Sequence, residues 1–116
     1  MKKVLIVDDD QNILEVAKFI LTSNGFEVLT LSTGLNVPEV VLHYHPDLIL
    51  LDVILPGKLG TEICKELKQI HSNIPIILFS AHPEEAKTLG TYIADAFIQK
   101  PFDIRNFVNT VKLHMN

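Results

Sequence analysis

The stretch VLIVDDD, residues 4–10, runs four apolar residues straight into three consecutive carboxylates. An unbroken apolar run, without the alternation of a half-exposed strand, reads as a strand buried on both faces. Similar short runs recur along the chain, and strands are expected over 3–7, 27–31, 48–51, 76–79 and 96–98. Between and after them lie amphipathic stretches, which predict helices over 11–24, 37–44, 61–71, 84–92 and 104–114. In the first of these, Ile13, Val16, Ala17, Ile20 and Leu21 recur at helical spacing, and Gly25 stands where helices commonly end. Thr61 after Gly60 marks a helix start, and Asp103 is placed to cap the last helix. Five strand-helix units with buried strands imply an α/β fold, with a parallel sheet covered by helices on both faces.

Composition bounds what such a fold can do. The chain has 116 residues, enough for one domain spanning 1–116 with a real core. Hydrophobic residues at 47% and charged residues at 21% fit an ordinary globular protein, with no repeat or low-complexity segment. Ten basic against fourteen acidic residues give a net charge of -4, with no clustered Lys/Arg stripe, so direct nucleic-acid binding is not expected. One cysteine, Cys64, has no internal partner, which suits a reducing cytoplasm. The lysines before Val4 imitate a signal peptide, but the apolar run is too short for one, and no membrane segment is expected.

On this scaffold the carboxylates converge. Asp8, Asp9 and Asp10 follow the first strand, and Asp52 follows LILL of the third. In the doubly wound order 2-1-3-4-5 these strands are neighbours, and their junction is the topological switch point where ligands bind. Asp47 falls at the other end of the third strand, roughly 16 Å away, and belongs to a turn. The same end-of-strand logic brings Ser80, from ILFSA, and Lys100, from FIQKP, to the same edge. Crowded carboxylates either share a proton or hold a cation, and Mg²⁺ (or Mn²⁺) accepts one or two carboxylates while leaving room for phosphate oxygens. A carboxylate beside such an ion is a plausible phosphoryl acceptor, with a lysine and a hydroxyl to bind phosphoryl oxygens.

Taken together, VLIVDDD, LILLDVILPG, ILFSA and FIQKPF, in that order and spacing, resemble the receiver domain of bacterial two-component response regulators across essentially the whole chain. The resemblance implies a flavodoxin-like doubly wound (βα)5 sandwich and a phosphorylation switch, not an enzyme with turnover; a stand-alone receiver is expected, with a piece excised from a longer regulator as the alternative. It implies Asp52 as phosphoacceptor, and Asp8 and Asp9 as the acidic pair for the metal, which Asp52 and the backbone carbonyl of Ile54 complete. Lys100 is then the phosphate-binding lysine, followed by a cis bond to Pro101, and Ser80 the hydroxyl that moves toward the phosphoryl group. Phe97 occupies the aromatic switch position. Its inward turn would change the surface of the fourth helix, fifth strand and fifth helix, a face also suited to dimer formation. The implied partners are a sensor histidine kinase or a histidine phosphotransfer protein, and a downstream protein target. Ile54 and His82 stand where receivers tune loss of the phosphoryl group; an apolar Ile54 cannot orient water, so slow self-dephosphorylation is expected.

The chain also departs from the family pattern. Lys58 and Leu59 replace the usual Met and Asp before Gly60, which alters the loop's partner surface, and Ile93-Ala94 replaces Gly-Ala before the fifth strand. Plainer readings accompany several residues. Asp10 before a helix is chiefly an N-cap. His43 and His45 are ordinary surface or turn histidines without a third ligand, and Cys64 is a small buried helix residue. A rival reading takes Asp8 as nucleophile and Asp10 as acid/base of a haloacid-dehalogenase-type phosphatase, but Gln11-Asn12 and the short chain argue against it. A third makes the chain a receiver-like binding module that is never phosphorylated.

Overall fold

The computed structural model describes residues 1–81 and 94–115. Five parallel strands form one sheet in the order β2-β1-β3-β4-β5. They are β1 (Lys3–Val7), β2 (Glu27–Leu31), β3 (Leu48–Asp52), β4 (Ile76–Ser80) and β5 (Ala96–Gln99). β3 and β4 are buried at every residue, whereas β2 and β5, at the sheet edges, are largely half-exposed. The apolar runs therefore sit where a sheet is covered on both faces, as their lack of alternation requires.

Helices α1 (Gln11–Ser23), α2 (Val37–Tyr44) and α3 (Gly60–Ile70), and a C-terminal helix (Ile104–His114), complete the described elements. Successive strand residues point to opposite faces. Val4, Ile6, Leu48, Leu50, Ile77 and Phe79 thus join Leu14, Ala17 and Leu21 of α1 and Phe107 and Val111 of the C-terminal helix in one core. Leu5, Val7, Ile49, Leu51, Ile76 and Leu78 join Val37 and Val41 of α2 and Ile63, Cys64 and Leu67 of α3 in the other. Each fully buried aliphatic side chain contributes about 1.5–3 kcal/mol, so the two cores hold the strand ends in fixed register.

Local signals set the helix ends. Asp10 caps α1, its Oδ1 accepting from the N–H groups of Asn12 (2.9 Å) and Ile13 (3.4 Å). Gly25, at φ 88°, takes the left-handed turn that ends α1, and Asp103 caps the C-terminal helix through the Asn106 N–H at 2.9 Å. Three expectations shift. α1 buries Leu14 and leaves Val16 half exposed, because the inward stripe runs 14, 17, 21. β3, β4 and β5 each extend one residue further, taking Asp52, Ser80 and Gln99 into the ladder. α3 starts at Gly60 with no side-chain cap, so Thr61 lies buried inside its first turn. The helix expected over 84–92, with His82 and Ile93, lies outside the described residues. Among the described residues no helix is long and apolar enough to cross a membrane.

Candidate functional site

Register carries the chemistry to one edge of the sheet. Val7 pairs with Leu51, so Asp8 and Asp52, the next residue of each chain segment, emerge side by side. Asp52 pairs with Phe79 and Ser80 with Gln99, which sets Ser80 beside Asp52 and Lys100 just beyond β5. The Lys100 N–H donates to the Ser80 carbonyl at 2.8 Å, and the Lys100–Pro101 bond is cis. A cleft of about 330 Å³ results, lined by Asp8, Asp9, Asp10, Asp52, Val53, Ile54, Ser80, Ala81 and Lys100. A wider open groove of about 730 Å³ lies between α1 and the C-terminal helix, but it gathers no acidic cluster.

Within the cleft the acids are unequal. Asp8 is fully buried; its Oδ1 accepts from the Asp10 N–H at 2.9 Å, and its Oδ2 is ion-paired with the Lys100 ammonium at 2.8 Å. Asp52 is also buried, with Oδ1 3.3 Å from Lys100 Nζ and accepting from the Ile54 N–H at 3.4 Å. Burial, and then the charge of Asp8, push the Asp52 carboxyl up to about 6, against the opposing pull of Lys100 and of the Ile54 amide. Burial alone would lower the Lys100 ammonium, but Asp8 and Asp52 outweigh it and hold it above the ordinary lysine range. Asp9 is exposed at the rim.

One carboxylate oxygen from each of Asp8, Asp9 and Asp52 lies within 4.8 Å of the others. A fully buried carboxylate beside two further carboxylates, all offering oxygens to one cleft, is a donor set suited to a hard divalent ion. The residues present fit such an ion, with Asp8, Asp9 and Asp52 as its carboxylate donors.

The remaining sequence candidates fall into place around this centre. Ser80 is buried at the end of β4, and Ile54 is 56% exposed at the cleft mouth. Phe97 pairs with Leu78 and is half-buried against the core shared with α2 and α3. Asp10 lines the cleft, but its carboxylate is engaged in capping α1. Asp47 accepts from the Lys3 N–H at 2.8 Å at the opposite ends of the strands, as a turn residue. His45 is the left-handed C-cap of α2, at φ 55°, and Cys64 is buried, its thiol pushed by burial up to about 11. Lys58, in the variant loop, forms an ion pair with Glu66 of α3. Sequence reasoning takes Gly60 as the flank of a helix and as the last residue of the family pattern after the strand-end acid, without a contact to Asp52, on which it packs directly.

Residues 4–112 match the family model described as the response regulator receiver domain. A receiver domain protein (CheY-like) from Methanospirillum hungatei JF-1 is 30% identical, with a TM-score of 0.91, covering 97% of this chain and 92% of its own. The response regulator TrrA of Thermotoga maritima, solved in complex with Mg²⁺-BeF, is 30% identical with a TM-score of 0.93, covering 99% of this chain and 100% of its own. The chemotaxis response regulator CheY4 of Vibrio cholerae is 28% identical, with a TM-score of 0.90 and 99% coverage of both chains.

Proposed function

The chain belongs to the response regulator receiver domain family, and from that premise we propose that residues 1–116 form a single phosphorylation switch whose phosphoacceptor is Asp52. Receiver domains are signalling domains, not classical enzymes, and work with histidine kinases or phosphotransfer proteins. The observation that carries the reading is the meeting of Asp8, Asp9 and Asp52 within 4.8 Å, with the Lys100 ammonium 3.3 Å from Asp52.

In this account an Asp52 carboxylate oxygen attacks the phosphorus of a partner's phosphohistidine or of a small phosphodonor. The new O–P bond forms as the donor's N–P (or O–P) bond breaks and the leaving group keeps the electron pair; a histidine nitrogen then takes up a proton from solvent, whereas acetate leaves as the anion. At neutral pH a carboxyl held near 6 is mostly ionised and so competent as nucleophile. Asp8, Asp9, Asp52 and the Ile54 carbonyl would hold Mg²⁺ or Mn²⁺, which when bound would neutralise charge on the phosphoryl oxygens. Lys100 binds one of those oxygens and the Ser80 hydroxyl donates to another.

Movement of Ser80 toward the phosphoryl group draws Phe97 inward and alters the face that the C-terminal helix and β5 share, biasing a two-state equilibrium between partner surfaces. The partner that supplies the phosphoryl group is a sensor histidine kinase or a phosphotransfer protein, in the cytoplasm, and the same face serves a downstream protein or a second copy of the chain. Ile54, with no polar atom to orient water, slows hydrolysis of the acyl phosphate, with His82 as a second shield.

Intact-mass analysis after incubation with acetyl phosphate tests the reading. One phosphoryl adduct that needs Mg²⁺ and is lost in Asp52→Ala is expected. An adduct that survives in Asp52→Ala, or steady release of phosphate from an ester substrate, contradicts it.

A further inference from the structure

A Cβ built on Gly60 would lie 1.9 Å from the Asp52 carbonyl oxygen, 2.8 Å from its carbon and 3.0 Å from Val53 Cα. All three are backbone atoms, so no side-chain rotation relieves the overlap. Nor is the strand end free to retreat: Asp52 is paired with Phe79, and the Val53 N–H donates to the Phe79 carbonyl at 3.0 Å. Gly60 is absent from the left-handed positions of the chain, which are Gly25, His45 and Gly57 among the described residues. Its missing side chain therefore serves close approach and not backbone freedom.

The approach closes a loop. The Gly60 N–H donates to the Val53 carbonyl at 2.7 Å, which joins the first turn of α3 to the residue after Asp52. The segment between them carries Ile54, whose N–H reaches Asp52 Oδ1, and Leu55, which is buried. We propose that Gly60 is a positioning residue for phosphoryl transfer to Asp52: its bare Cα lets α3 seat against the Asp52 carbonyl and so fixes the acceptor carboxylate and the Ile54 backbone together. The inference rests on the reading of Asp52 as phosphoacceptor. It assigns Gly60 no contact with substrate; any side chain there displaces the Asp52 backbone, and displacements near 1 Å lower transfer rates severely.

The test compares Gly60→Ala with Val111→Ala, a core truncation in the C-terminal helix, at matched folded fractions. Two quantities are read: the saturating rate of adduct formation with acetyl phosphate, and Mg²⁺ affinity from amide chemical shifts of the unphosphorylated protein. Gly60→Ala is expected to lose about 10-fold or more in rate and to bind Mg²⁺ more weakly, while Val111→Ala keeps both near wild type. A folded Gly60→Ala with wild-type rate and affinity overturns the proposal. If Gly60→Ala does not fold, the wild-type Gly60 amide decides. Hydrogen-exchange protection matching the β3 amides, with a shift on Mg²⁺ addition, supports the inference, and exchange at the rate of exposed loops overturns it. Failure of wild type itself to form an Asp52 adduct would instead sink the underlying reading.

Discussion

The Lys100 ammonium stands 2.8 Å from Oδ2 of Asp8, a carboxylate with no solvent exposure. The pair joins a residue proposed to hold the metal to one proposed to hold the phosphate, so the two ligands are coupled through a single side chain. A buried charge without its partner is strongly destabilising.

Lys100→Ala removes the cation that faces Asp8 and Asp52. The metal-free protein is expected to lose about 3–5 kcal/mol of stability. Added Mg²⁺ should raise the melting temperature of this variant more than that of wild type, because the carboxylates then have no competing ammonium. Equal metal-induced shifts in both proteins would contradict this coupling.

Asp52 makes the metal-free protein sensitive to pH in a defined direction. Its carboxyl lies near 6 when folded, against 3.8 as the ordinary value, so the folded state holds this proton more tightly than the unfolded one. The group therefore favours folding at low pH, and that contribution is lost as pH rises from about 4 through 6. In chelator, Asp52→Asn should exceed wild type in urea-unfolding stability above pH 6 by on the order of 1–2 kcal/mol, a figure kept below the full shift because the cleft opens to solvent. The difference should vanish below about pH 4. A constant difference across this range would contradict the assignment.

Ile54 projects an apolar side chain at the cleft mouth, 56% exposed. Ile54→Asn offers an amide that can orient water toward the acyl phosphate. Loss of the adduct, followed by intact mass, should be about 10-fold faster than in wild type. An unchanged decay would remove Ile54 from the account of phosphoryl lifetime.

Asp10 separates capping from chemistry. Its carboxylate accepts from the Asn12 and Ile13 N–H groups. Asp10→Ala should therefore cost about 1 kcal/mol of stability while adduct formation continues near the wild-type rate. Loss of phosphorylation without loss of stability would restore Asp10 as an acid/base.

Strand positions were legible because the interiors of β1, β3 and β4 are apolar without interruption, a pattern that sheets buried on both faces impose, while the order 2-1-3-4-5 came from the doubly wound class. The convergence of Asp8, Asp52, Ser80 and Lys100 followed from strand-end position alone, and the register brings all four into one cleft. Other features needed tertiary information. Val16 fits a helical apolar stripe as well as Leu14 does, and only the placement of the sheet decides which turns inward. The role of Gly60 depends on an approach to Asp52 across a loop, which no local pattern encodes. The Lys58–Glu66 pair likewise joins a loop to a helix face whose orientation the sequence leaves open.

The most direct measurement traps the adduct by borohydride reduction after acetyl phosphate treatment and locates the reduced residue by peptide mass spectrometry. The account predicts reduction at Asp52 alone, dependent on a divalent cation. Reduction at Asp8 or Asp9, or at Asp52 with equal yield in chelator, would contradict it.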